Sequence, residues 1–586
     1  MPPHSSSSPI GHVVSVRGSQ AKVGLPAPSP AGCFRPTVGS FVSMHADEAV
    51  IVGVITEVEA AAVFDAGHHS YQAVARVDLT GEIVRTLDGR TCFRRGVRTH
   101  PAIGDGVQPM SGSDLNVIYS SLRARSFDIG KLAQDPSVPA YVEFDSLLAK
   151  HFAVVGSTGV GKSSGVAVML NGMVQVDPSL RVLVLDAHNE YGHSFGDKAE
   201  VTGASDLKLP FWMFNFEELI DVIYGGRSPI AEEVDILSEL IPLAKSMYPT
   251  YKNGTERSGI VRRPQRTNTY TADTPIPYLL QDLINLIDER MGKLENRSSR
   301  MTYNRLLGRL EAIKNDSRYG FMFENANVGG DTMAAVLGKL LRLDDDGKPI
   351  TVLRLASLPG EAVDAVVCVT LRLAFEFGLW SEGALPLLIV CEEAHRYAAA
   401  DHTIGFGPAR RSLSRIAKEG RKYGVHLALV SQRPAELDPT IISQCSTLFA
   451  MRMSNEQDLD LVRIAASDSG SHLLEVIPSL GSGEVIGIGE AMPLPARLSF
   501  HQLPREQIPS SDMGSHLHDA PITDHKTLVQ SVVDRWRQAS VAPALTEDDQ
   551  PMAPIVERAL LKGSLAEAAG TGRSLLEQTR SSILRR

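Results

Sequence analysis

Eight residues, Gly156-Ser157-Thr158-Gly159-Val160-Gly161-Lys162-Ser163, satisfy the pattern G-x-x-x-x-G-K-[ST] without a mismatch. Each residue type has a task in phosphate chemistry. The glycines let backbone N–H groups turn inward, the lysine reaches the β/γ-phosphates, and the serine hydroxyl ligates Mg²⁺. The flanks suit the motif. Phe152–Val155 reads as a short buried strand and Ser164–Val176 as a helix, whose N-terminus adds the positive end of its dipole to the cradle. Gly156 to Ser164 are therefore candidate nucleotide ligands, with Ser163 as the Mg²⁺ ligand.

Binding phosphate is not yet cutting it, and hydrolysis needs further groups. Leu385–Cys391 is an apolar run that delivers two adjacent carboxylates, Glu392 and Glu393, at a strand end. Cys391 stands where such strands often carry Asp. Glu392 is accordingly assigned to the metal side and Glu393 to polarising the attacking water. A second strand, Arg181–Asp186, ends in Asp186 and is followed by Glu190. These two either order Mg²⁺ or water, or Asp186 caps the next turn. Val425–Ser431 is a third buried strand. It presents Gln432 where a γ-phosphate sensor belongs, with Arg433 beside it as a finger candidate. Gly407–Tyr423 reads as a helix with Arg411, Arg415, Lys418 and Lys422 on one face and Arg410 and Arg421 on an adjacent one. Three uses are open: an exposed solubilising face, an arginine finger for a neighbouring subunit's nucleotide, or a basic stripe of Arg411, Arg415 and Lys418 against a nucleic-acid backbone.

The elements that must position these residues alternate between strand and helix, which predicts a parallel α/β sheet. The expected fold class is α/β: a RecA-like P-loop NTPase core with an N-terminal small β-barrel, an inserted helical bundle and a C-terminal helical tail. Residues 1–110 are short alternating runs broken by Gly and Pro, a barrel pattern suited to docking. Residues 111–149 form a connector with an edge strand near Ala140–Phe144. The core occupies 150–205 and 347–503, and 206–346 is a helical insertion with apolar spacing in about four helices. Within it, Lys252–Thr271 is a basic loop (Arg257, Arg262, Arg263, Arg266). Residues 504–586 are the tail, with helical patches near Lys526–Gln538 and Ile555–Ile583.

Bulk properties narrow the class. A chain of 586 residues is too long for one core. Its net charge of -10 excludes a polycation that coats nucleic acid while permitting a local basic channel. The five cysteines contain no C-x-x-C pair, so a reducing cytoplasm is expected, without structural disulfides or a thiolate metal site. The absence of a run of about 18 apolar residues argues against a membrane span. Met1–Pro9 lacks the apolar centre of a signal peptide.

Together the P-loop, Asp186-Ala-His-Asn-Glu-Tyr191, Leu209-Pro-Phe-Trp-Met213, Asn315-Asp-Ser-Arg-Tyr-Gly-Phe321, Glu392-Glu-Ala-His395, Ile416-Ala-Lys-Glu-Gly-Arg-Lys-Tyr-Gly424 and Ser431-Gln-Arg-Pro434 resemble the HerA branch of the HerA/FtsK motor ATPases, in family order over some 350 residues. The resemblance implies a homo-hexameric ring with ATP and Mg²⁺ bound between subunits and double-stranded DNA in the channel. It implies Glu393 as base, Gln432 as sensor, Arg421 as the finger reaching a neighbour, and Lys150 as a further basic residue acting across the interface. It also implies a partner docked on the barrel: a NurA-like nuclease, or an antiviral effector such as a nuclease or sirtuin-like NAD hydrolase. The expected function is an ATP-hydrolysing DNA translocase or helicase serving end processing or phage defence. The second reading is a ring scaffold that organises an effector with little translocation.

Overall fold

The structure is a computed structural model. It describes residues 9–534 apart from 27–34, 47–48, 67–68, 87–90, 121–124, 204–205, 207, 226, 253–269, 294–296, 324–329, 344–346, 357, 359, 402–406, 467–470, 511–528 and 531. The chain divides into two compact units, Met1–Pro521 and Ile522–Arg586. In the second unit, residues 529–530 and 532–534 are helical, and the rest of the expected tail helices lies outside the described residues. The basic loop expected at Lys252–Thr271 also lies almost wholly outside them. No described helix is long and apolar enough to cross a membrane.

The first unit opens with seven strands: β1 (Gly11–Arg17), β2 (Gln20–Leu25), β3 (Phe41–Ala46), β4 (Ala49–Ala66), β5 (His69–Arg85), β6 (Thr91–Arg95) and β7 (Gly106–Pro109). They run in the order β2-β1-β7-β3-β4-β5, and β2 pairs again with β5. Six strands thus close on themselves and leave no free edge among them, while β6 is added outside on β5. The inward residues of the alternation, among them Val13, Val23, Met44, Ile51, Ile55, Val77 and Val107, form the barrel's own core. The opposite wall of the barrel packs on the motor through Phe41, Val52, Val54 and Ile83.

The motor is one sheet of eleven strands: β8 (Ser126–Leu132), β9 (Pro139–Glu143), β10 (His151–Val155), β11 (Arg181–Asp186), β12 (Ala199–Gly203), β13 (Ile350–Arg354), β14 (Leu387–Cys391), β15 (Val425–Ser431), β16 (Cys445–Met451), β17 (Glu484–Gly489) and β18 (Ala496–Phe500). Their order is β12-β13-β11-β14-β15-β10-β16-β17-β18-β8-β9. The seven strands from β12 to β16 are parallel, and the remaining four are antiparallel. The central strands are buried on both faces, which is why they read as unbroken apolar runs. The edge strand expected near Ala140–Phe144 is β9. Two features were not legible in the sequence: β8 joins β9 to β18 and so weaves the connector into the motor sheet, and β12 extends the parallel edge.

The helical insertion carries helices at the four predicted patches, Phe216–Tyr224, Ala231–Lys252, Leu280–Gly292 and Arg297–Lys314, and a further one, Met333–Leu341. The first begins in a capping box between Asn215 and Glu218 and ends at Gly225 in the left-handed region. Glu218, 1% exposed, pairs at 2.8 Å with Arg372 of the helix Gly360–Trp380 and so fixes the insertion to the motor.

Candidate functional site

The phosphate loop leaves β10 at the carboxyl edge of the sheet, between β15 and β16. Its backbone is pinned from both sides: Gly156 N–H donates to Ser431 O at 3.2 Å and Ser157 N–H to Arg452 O at 2.9 Å. Gly159 (φ +73°) and Gly161 (φ +100°) adopt the left-handed conformation that closes the cradle, and the helix Lys162–Val176 starts directly after it. Val160 is fully buried, and its carbonyl accepts from Gly483 N–H at 2.9 Å, which holds the loop against the turn before β17. Lys162 folds back onto Ser157 O at 2.8 Å. Burial lowers its pKa, against the opposing pull of Glu393, Glu392 and Glu190. An arriving phosphate would replace that carbonyl as its partner.

The carboxylates divide the labour differently from the sequence expectation. Ser163 Oγ donates to Glu190 Oε2 at 2.7 Å, so Glu190 is the acid beside the Mg²⁺ hydroxyl. Glu392 lies deeper. Burial raises its pKa well above the usual range, and Asp186, Glu190 and Glu393 add to the effect. Its Oε2 is buried with no hydrogen-bond partner. Asp186 takes no part in phosphate binding: Oδ1 accepts from Glu190 N–H and Oδ2 from Tyr191 N–H, both at 3.0 Å. It therefore caps the turn that presents Glu190, which is the second of the two readings the sequence left open for it.

Mg²⁺ fits this donor set. Crowded carboxylates, one of them with an orphaned oxygen, surround a serine hydroxyl at a phosphate cradle. No group of three His, Cys, Asp or Glu among the described residues forms a metal cage. Mg²⁺ suits such a site, because it keeps several waters and binds through one or two protein groups plus phosphate oxygens. Ser163 would hold it, with Glu190 and Glu392 behind. When bound, it supplies charge neutralisation on the β/γ-phosphate oxygens.

Glu393 has φ +50°, a strained conformation for a side chain larger than Gly that turns it out of β14 toward β15. There it accepts from Gln432 Nε2, and Gln432 Oε1 in turn accepts from Thr158 Oγ1 of the phosphate loop. His395 Nδ1 lies 3.2 Å from both Glu393 Oε2 and Ser431 Oγ. Burial lowers the His395 pKa, partly offset by Glu393, so the ring is held toward its neutral form. Glu393, Gln432 and Thr158 of the phosphate loop are therefore one hydrogen-bonded chain, made possible because β15 lies between β10 and β14. His395 stands in the Glu-Glu-Ala-His motif, whose residue types alone assign it no role.

The basic residues do not act together. Arg411 pairs with Glu217, and Arg415 pairs with Glu376 at 3.1 Å and stacks over the Phe375 ring. These two pairs link the helix Gly407–Glu419 to its neighbours, while Arg411, Arg415 and Lys418 all remain exposed on it. Arg433 pairs with Glu436 at 2.8 Å at the rim of the nucleotide side. Lys418 and Arg421 are exposed and make no ion pair among the described residues. They line a cavity of about 520 Å³ with Lys150, Arg95 and Glu490. That cavity also contains His151 and Cys445, the first residues of β10 and β16, and so opens at the amino edge of the sheet. His151 is the hinge of this edge. Its Nδ1 accepts from Leu427 N–H and its Nε2 faces Ala417 O, both at 3.0 Å, which fixes the tautomer and ties the helix to β10. Strand β10 separates this cavity from the phosphate loop by about 16 Å at the usual rise.

Comparison with known proteins agrees with this geometry. Residues 127–374 match the family model "Helicase HerA, central domain". The chain is 26% identical over 477 residues to the DNA double-strand break repair helicase HerA of Pyrococcus furiosus, covering 73% of this chain and 78% of that protein. It is 26% identical over 480 residues to the protein of the same name from Saccharolobus solfataricus, covering 78% and 86%. Among solved structures, VirB4 of Thermoanaerobacter pseudethanolicus aligns with a TM-score of 0.44 at 15% identity, covering 65% of this chain and 98% of that one. With its P-loop core, its closed N-terminal barrel and the run of motifs from Gly156 to Pro434, the chain carries a match to the HerA central domain and is similar to HerA helicases over most of its length.

Proposed function

We propose that the chain is the subunit of a homo-hexameric ring that hydrolyses ATP with Mg²⁺ and uses it to translocate on or unwind double-stranded DNA. One observation carries this reading. The phosphate loop and a basic cavity lie at opposite edges of one sheet, about 16 Å apart. Lys162, Glu393 and Gln432 stand at the carboxyl edge, and Arg421 and Lys418, without an ion pair among the described residues, stand with Lys150 at the amino edge. Arg421 is too far to serve its own nucleotide, so a neighbour's Arg421 completes the site, with Lys150 assisting. Within a subunit, Lys162 binds the β/γ-phosphates, Glu393 accepts the proton of the attacking water, and Gln432 reports the γ-phosphate to Glu393. Transition-state charge is stabilised in trans. The DNA-repair helicases to which the chain is similar support duplex DNA as the track. Lys418 is the free DNA-contact candidate, whereas Arg411 and Arg415 contact DNA only if their ion pairs open. The barrel is the docking face for a nuclease or an antiviral effector.

The test is complementation. Lys162→Ala subunits lack a working cradle but keep the finger; Arg421→Ala subunits have the reverse. Each alone should form rings without turnover, and mixing them should restore turnover at the hybrid interfaces. Full ATPase activity in Arg421→Ala alone would sink the reading.

A further inference from the structure

The cavity at the amino edge contains two groups that the site does not need for its own chemistry, and both belong to a connection with the barrel. Arg95 is the last residue of β6, the strand added outside the closed barrel. Its Nη1 donates to Gly489 O at 3.0 Å, the carbonyl immediately before Glu490. Glu490 holds Lys150 Nζ at 2.6 Å. Desolvation by the surrounding walls lowers the Arg95 pKa, and the Glu490 charge opposes this, so the two groups sense one another. Glu490 is the one carboxylate among the residues lining a cavity with four cations. Arg95, bonded to the Gly489 carbonyl, and Lys150, bonded to Glu490, therefore stand around the one carboxylate of the cavity, and Arg95 belongs to the barrel.

Resting on the trans-site reading above, we propose that Arg95 and Glu490 are positioning residues. Glu490 holds Lys150 back, and Arg95, by sharing Glu490, sets how much of the Lys150 charge is offered to the neighbouring subunit's phosphates. A displacement of β6 when a partner occupies the barrel changes that share. The barrel then tunes ATP turnover without touching nucleotide. The lever is small, because Lys150 and Glu490 are 39% and 50% exposed and water screens their attraction.

The test is a double-mutant cycle in the full-length chain with duplex DNA, reading KM for ATP and kcat separately. Glu490→Gln should lower KM by about two- to fivefold and Arg95→Gln should raise it by a similar factor. The double variant should match Glu490→Gln alone, because Arg95 acts only through Glu490. Arg95→Lys, which keeps the charge, should behave as wild type. Strictly additive effects, an unchanged KM in Glu490→Gln, or Arg95→Lys as impaired as Arg95→Gln would each overturn the proposal. Arg421→Ala is run alongside. If it abolishes turnover while the cycle shows no coupling, the positioning proposal fails alone; if it is fully active, the trans-site reading beneath it fails.

Discussion

Replacing Glu393 by Gln tests the centre of the site. The substitution preserves volume and leaves a carbonyl oxygen to accept from Gln432, so the chain from Thr158 through Gln432 persists. What it removes is the only feature the amide lacks, a basic oxygen for the proton of the attacking water. General-base catalysis is worth about 10²–10⁴ in rate, or roughly 3–5 kcal/mol at 1.36 kcal/mol per decade. Glu393 is 5% exposed, so bulk water has little room to substitute for it, and the upper half of that range is expected. Nucleotide binding should hold or tighten, because one negative charge leaves the neighbourhood of Lys162 and the phosphates. The assay is steady-state phosphate release with and without duplex DNA, together with equilibrium binding of a fluorescent ATP analogue. A Glu393→Gln chain that binds normally and turns over within tenfold of wild type would refute the reasoning and move the base to Glu190 or Glu392.

Glu190→Gln should raise the Mg²⁺ concentration needed for half-maximal turnover, read by titration, because Glu190 is the acid bonded to Ser163; an unchanged Mg²⁺ requirement would count against it. His426 is buried and its pKa is pushed down to about 4 by burial and by His151. The unfolded chain binds that proton near pH 6.5, so its stability contribution is present above pH 6.5 and is lost as pH falls toward 4, up to about 3 kcal/mol. His151, also lowered, acts in the same direction. His426→Gln should flatten the decline of melting temperature across that window. Gly420→Ala places a methyl group 2.5 Å from Val425 O and 2.9 Å from Ile416 Cγ2. It should cost on the order of 1–3 kcal/mol by overpacking and displace Arg421, so thermal melting and ATPase activity should fall together.

Much of the machine is local and therefore legible in the chain. The phosphate loop is contiguous, because its function is a backbone conformation that glycines encode one after another. The buried parallel strands declare themselves as apolar runs, and the carboxylates and Gln432 mark where those runs meet the ligand edge. The short, punctuated strands announced the barrel, although not that β2 returns to β5 to close it. The division of roles among Asp186, Glu190, Glu392 and Glu393 was not legible. It depends on which side chain points back at the backbone and which at Ser163, and that is decided by the αL conformation of Glu393 and the turn capped by Asp186. The helix charges were equally ambiguous: periodicity put Arg411, Arg415 and Lys418 on one face, but only the packing of Glu217 and Glu376 shows which charges are already used.

The sequence by itself determined the chemistry on offer, a P-loop with carboxylates and a sensor, because residue type and near-neighbour spacing suffice for that. Tertiary structure decided where each half of it stands. The strand order β14-β15-β10 joins Glu393, Gln432 and the phosphate loop at one edge, whereas Lys150 and the start of β10 at His151 lie at the other, where Arg95, Arg421 and Glu490, distant in sequence, meet. Such meetings depend on long-range strand pairing, which no local pattern encodes.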